Sequence, residues 1–134
     1  MCAFYRSREG ALTAADSFTA LGSLYGQSTT ASIQIPKQAS QIVGIIATVS
    51  SDSATNGATT FAVQLSGDGL SQGQETMVVG SQGVDGTPAS NGATNSPFAL
   101  DVAIPVVGSN QVSVAAAMDT DVGTCAVAVT LVFA

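Results

Sequence analysis

No histidine and no tryptophan occur in this sequence, and lysine and arginine together number three against nine aspartates and glutamates. The missing histidine removes Ser-His-Asp and Cys-His catalysis, His-ligated zinc and the commonest general base near neutral pH. The single lysine, Lys37, follows Pro36 at a strand end, where it reads as a solubilising edge charge and not as a Schiff-base former. No GxxxxGK[ST] loop is present to cradle a phosphate. Gly67-Asp68-Gly69 and Gly83-Val84-Asp85-Gly86 are turn sequences first. Asp119 and Asp121, in MDTDVG, are the one close carboxylate pair and hence the weak metal candidates. A calcium loop needs a denser oxygen set with a bidentate glutamate, and none follows. A plain hairpin connection explains the pair better than metal binding or glycosidase acid/base work. Neither catalytic residues, a metal nor a cofactor is expected.

Cysteine is equally sparse. Cys2 and Cys125 are the two present, too few for a disulfide-built secreted scaffold. Cys125 sits in an apolar alternation and reads as a buried free thiol, a bridge to Cys2 being the lesser alternative. The opening MCAFYRSREG has no apolar stretch of signal-peptide length, and no apolar run approaches the roughly 20 residues that span a bilayer. Use in a cytosol-like compartment is expected unless a precursor has been trimmed. With no tryptophan and with Tyr5 and Tyr25 as the only tyrosines, the aromatic platforms of carbohydrate-binding sandwiches are thin.

Charged residues make up 9% of the chain, against about 25% in ordinary soluble domains. The hydrophobic fraction is 46% and the mean hydropathy +0.39, so the 134 residues can bury a core and disorder is excluded. The surface must therefore consist of Ser, Thr, Gln, Asn, Gly and Ala. Such a surface is either unusually inert or largely covered by neighbouring copies; small neutral residues favour the second, since they let backbones approach closely without stripping water from charges. The net charge of −6 and the scattered cations argue against direct nucleic-acid binding.

Period-two alternation dominates what is there. At the close of the sequence Cys125, Val127, Val129, Leu131 and Phe133 share one face, while Thr124, Ala126, Ala128, Thr130 and Val132 share the other. The first face is core; the second is small and neutral. Further strands are read at Ile33–Ile35, Ile42–Val49, Phe61–Leu65, Met77–Val79, Phe98–Ile104 and from Val112. Ile42–Val49 is nearly continuous in apolar residues, as for a strand covered on both faces. Residues 17–24 fit an eighth strand or a short helix. Asn56-Gly57 and Asn91-Gly92, each within an NGAT tetrapeptide, are turn signals. Residues 80–97 read as one long polar loop.

Residues 1–16 hold both arginines and do not alternate. They are read as an N-terminal arm before a sandwich at 17–134. The arm is either frayed or docked on a neighbouring copy, with Phe4 and Tyr5 as anchors and Arg6 and Arg8 meeting carboxylates. With Ala126, Ala128 and Thr130 of the small outer face, these are the candidate interface residues.

The fold class that follows is all-β, a two-sheet antiparallel β-sandwich. About eight short strands, long Gly/Ser/Thr loops and a leading arm resemble a single jelly roll. The segments SIQIPKQASQIVGIIATVS (32–50), FALDVAIPV (98–106) and TCAVAVTLVFA (124–134), with MCAFYRSREG in front, resemble the structural proteins of icosahedral viruses, either capsid subunits or the cement proteins that decorate a shell. The resemblance implies a homo-oligomer whose partners are other copies and other capsid proteins, located in a virion after synthesis in the host cytoplasm. Two arginines are a thin version of a genome-binding arm, which favours a subunit shielded from nucleic acid. An adhesin-like or carbohydrate-binding module of a fibre or spike is the alternative.

Overall fold

A computed structural model describes residues 3–51, 57–84, 98–121 and 123–134. It contains nine strands: β1 (Phe4–Leu12), β2 (Thr19–Ala20), β3 (Ser32–Gln34), β4 (Gln41–Ser51), β5 (Gly57–Ser66), β6 (Glu75–Val84), β7 (Phe98–Pro105), β8 (Gln111–Met118) and β9 (Cys125–Phe133). Among the described residues there is no helix, so none is long and apolar enough to cross a membrane.

The strands pair as nested hairpins. β5 pairs with β6, β4 with β7, β2 and β3 with β8, and β1 with β9, all antiparallel. That long ribbon is wrapped so that β4 lies beside β9 and β5 beside β8. Two sheets result, in the orders β1-β9-β4-β7 and β2-β8-β5-β6, with β3 also on β8. Nested pairs wrapped into two sheets are a jelly roll, and because β2 and β3 share one place along β8 the roll has eight strand positions.

Alternation explains the core. Cys125, Val127, Val129, Leu131 and Phe133 are all buried, as are Val112, Val114, Ala116 and Met118 on β8 and Phe61, Val63 and Leu65 on β5. These rows face one another across the sandwich. β4 departs from its sequence reading: it is covered on one face only, with Thr48 and Ser50 exposed. A bulge between Ile42 and Gly44 turns both Ile42 and Ile45 inward, three residues apart, which is why the apolar run looks unbroken.

Two further segments differ from the sequence reading. Phe4–Leu12, expected as part of an arm, is the edge strand of the first sheet, in register with β9 from Phe4↔Phe133 to Leu12↔Cys125. Its inward positions include Arg6 and Arg8, opposite Leu131 and Val129, and this hides the alternation. Residues 80–84, expected as loop, continue β6 beyond a bulge that pairs Gly80 with Phe61 and Val78 with Ala62. Asn56, Asn91-Gly92 and Cys2 lie outside the described residues. In the stretch left open between strand and helix, Thr19–Ala20 is a short strand, and Leu21 follows it into the core with no exposure.

Both sides of the sandwich are closed by specific contacts. On one, Leu21 N–H donates to Val114 O (3.0 Å) of the second sheet, while Gly22 N–H donates to Glu9 O (3.0 Å) and Glu9 N–H to Ser23 O (3.2 Å) of the first. Residues 21–23 thereby cover the free edge of β1, which would otherwise invite edge pairing. Arg8 adds a second bridge there: Nε donates to Thr30 O (2.7 Å) and one Nη to Ser32 O (3.0 Å). On the other side Phe98 of β7 lies against the bare backbone of Gly80 in β6.

Candidate assembly surfaces

The outer face of the first sheet is built in four rows fixed by register. They run Tyr5–Val132–Gly44–Asp101, Ser7–Thr130–Ile46–Ala99, Glu9–Ala128–Thr48 and Ala11–Ala126–Ser50. The charges in these rows, Glu9 and Asp101, stand on the two edge strands. The two central strands offer only small or apolar groups. Ser7 and Thr130 hydroxyls share a hydrogen bond of 2.7 Å, so that row meets one of its own polar requirements internally. Ala11, Ala126, Ala128, Thr48 and Ser50 line a shallow depression of about 640 Å³, together with Glu9 and Ser23.

The second sheet repeats the theme. Its outer rows include Ala20–Ala115–Gln64–Thr76, Ser32–Ser113–Ser66 and Ala62–Val78, with no charged side chain among them. Val78 is 62% exposed there.

The sequence-derived candidates separate into two sets. Ala126, Ala128 and Thr130 lie together on the outer face, beside positions that sequence reasoning did not single out: Ser7 and Ala11 of β1, and Ile46, Thr48 and Ser50 of β4. Period two in β9 was a sufficient signal for the first set; the bulge obscured it in β4. The β1 residues divide by parity. Tyr5 faces outward, 61% exposed, while Phe4 packs against the core. Arg6 and Arg8 turn the other way. Arg6 donates to its neighbour's carbonyl, Tyr5 O (2.9 Å), and Arg8 to Ser7, Thr30 and Ser32 carbonyls.

Asp119 and Asp121 serve backbone geometry. Asp119 Oδ1 accepts from Thr60 N–H (3.3 Å) and Thr59 Oγ1 (3.1 Å), tying the β8–β9 loop to β5. The Thr60 amide first, then the Thr120 and Thr59 side chains, hold this carboxyl below the ordinary aspartate range. Asp121 Oδ1 accepts from Gly123 N–H (2.9 Å), an Asx-type turn. Among the described residues no group of three His, Cys, Asp or Glu side chains is placed to hold a metal ion. Cys125 is fully buried, its Sγ 3.9 Å from Met118 Sδ.

No protein-family model matches the sequence, and no curated protein is similar to it. Similarity appears at the level of structure. The crystal structure of the infectious bursal disease virus VP2 subviral particle superposes with a TM-score of 0.52 at 8% identity, covering 98% of this chain and 32% of that one. The structure of infectious bursal disease virus Gx strain gives 0.49 at 11% identity, over 98% and 31%. Dimeric latent PorU from Porphyromonas gingivalis gives 0.45 at 12%, over 98% and 12%. The chain spans about a third of the length of the VP2 chain it matches. At these identities the likeness is one of fold: an all-β jelly-roll sandwich of the kind found in a viral structural protein.

Proposed function

We propose that this chain is a structural subunit of a virion, assembling with copies of itself or docking on a symmetric shell as a capsid or cement protein. The role is non-enzymatic, its partners are other copies and other capsid proteins, and its interface includes Ala126, Ala128, Thr130 and Tyr5. The observation that carries this reading is the outer face of the first sheet, whose charges stand on its edge strands. Broad contact over small neutral groups removes little tightly held water, and closed symmetry lets many such contacts add. The fold shared with a subviral-particle protein supports the same reading.

The test is Ala128→Glu. Ala128 sits mid-sheet, between Glu9 and Thr48, with its side chain outward. In the isolated domain a carboxylate there faces water, at the modest cost of standing across from Glu9, but in a contact it is unpaired, which costs several kcal/mol. Electron microscopy and light scattering should show particles for the parent and dispersed subunits for the variant, with thermal unfolding lowered far less than assembly. Particles formed normally by Ala128→Glu would remove the basis of the proposal.

A fibre or spike module is the second reading, and one observation favours it. Tyr25, 87% exposed, crowns a two-residue turn in which it and Gly26 both take positive φ (49° and 75°). Measurable glycan retention, abolished by Tyr25→Ala, would decide for it.

A further inference from the structure

Arg6, Arg8 and Lys37 are all the cations this chain has, and all three line one cleft of about 390 Å³ with Gln34, Ile35 and Ser109. β1 contributes the arginines, and the turn that follows β3 contributes the lysine. Only the sandwich's closure brings them together. Arg8 donates to three backbone carbonyls, which satisfy hydrogen bonds without cancelling its charge, and its planar fork has five N–H groups to offer. Arg6 stands two residues away on the same side of the strand. Partial burial, then the neighbouring Arg6, makes the charged form of Arg8 less favourable than usual. Among the described residues no carboxylate lines the cleft, and a cleft of like charges in a chain of net charge −6 is a site for anions.

We propose that this cleft receives carboxylates of a second copy of this chain, in a head-to-tail contact with the acidic far end of that copy. The proposal rests on the assembly reading above and supplies its direction. β8 runs along the molecule from Gln111, which pairs with Gln34 of the cleft, to Met118. At the Met118 end stand Asp16, whose N–H donates to Met118 O (2.8 Å), and the loop carrying Asp119 and Asp121. Eight residues of strand put the two ends about 25 Å apart. Asp68 is nearer the cleft, but its Oδ1 accepts from Gln111 N–H (3.2 Å) and it does not line the site.

Two further points favour a protein carboxylate over a polyanion. Three cations can neutralise about three phosphates, too few for stable nucleic-acid binding at physiological salt. The outer faces, neutral on their central strands, give assembly its area but little orientation, whereas a charged pair at opposite ends fixes which way a neighbour points. Cleft and acids are different surfaces, so the contact is heterologous and propagates from copy to copy.

The experiment uses exposed positions, leaving Arg8 in place. Arg6→Glu/Lys37→Glu reverses the cleft. Asp16→Asn/Asp121→Lys alters the far end, asparagine being tolerant of the positive φ of 55° at residue 16. Circular dichroism confirms folding, and light scattering reads the concentration at which particles appear. Each double variant should raise that concentration at least tenfold, and the combined four-site variant should recover most of it. Substoichiometric Arg6→Glu/Lys37→Glu should also stop growth of parent particles. Parent particles with all variants assembling alike would overturn the docking alone. So would loss in both doubles without recovery in the combination. A parent that stays a single subunit would overturn the assembly reading and this contact with it.

Discussion

Replacing Gly80 with alanine tests how tightly the β6–β7 side of the sandwich is closed. A Cβ built at Gly80 lies 2.7 Å from Phe98 Cε1 and nearer still to Cδ1 and Cγ. Those atoms are the root and edge of the ring, so the whole side chain would have to move. Overpacking of this sort costs about 1–3 kcal/mol. Against it stands the reduced freedom of the unfolded chain when glycine becomes alanine, worth about 0.4–1 kcal/mol. The net expectation is a loss of about 1–2 kcal/mol, or roughly 3–6 °C in Tm for a domain of this size. Urea unfolding gives the number, run at two protein concentrations so that any contribution from association is visible. The double-mutant cycle with Phe98→Ala isolates the contact. Without the ring, Gly80→Ala should be neutral or stabilising. The reasoning fails if Gly80→Ala is as stable as the parent while Phe98 is present, or if its cost is the same after Phe98 is removed.

Arg8→Lys should cost about 1 kcal/mol in urea unfolding, because one ammonium cannot reproduce the forked donation to Thr30 and Ser32 carbonyls. Leu131→Ala, at a fully buried inward position of β9, should cost about 2–5 kcal/mol by the same measurement. Asp119 has a depressed pKa in the folded state, so the stability it contributes is present above the unfolded value of 3.8 and is lost as pH falls through the lower folded value. Asp119→Asn should therefore flatten the acid limb of a stability–pH curve below about pH 4, and an unchanged limb would contradict the assignment. Tyr25→Asn should raise Tm slightly, since asparagine accepts the left-handed conformation more readily than tyrosine.

The strands with clean alternation were legible from residue types alone. β9, β7 and the inward half of β5 follow directly from period two, since one face of each meets the other sheet. β1 was not legible, because two of its inward positions at the sandwich edge are arginines, of which Arg8 reaches the carbonyls of Thr30 and Ser32. The tail of β6 was hidden by Gly80, Ser81 and Gln82, residues that suit a loop as well as a strand. On the outer face, Ala128 was found because β9 alternates without interruption, and Thr48 was missed because a bulge shifts the phase of β4. Of the basic cleft, Arg6 and Arg8 were singled out in the sequence, but their meeting with Lys37 had no signal there. The two arginines stand on β1 and Lys37 in the turn after β3, and only the wrapping of the ribbon makes them neighbours.

The hydroxyls of Ser7 and Thr130 meet across 123 residues of sequence. A ribosome making this chain exposes β1 long before β9 exists, and β9 is also the strand on which β4 leans. The sheet that bears the neutral outer face is thus completed late, by the arrival of one strand between two that are waiting. Until then neither the face nor its rim is in place to be recognised. For the assembly proposed above, order of synthesis in this topology would delay mutual recognition until the fold is nearly finished.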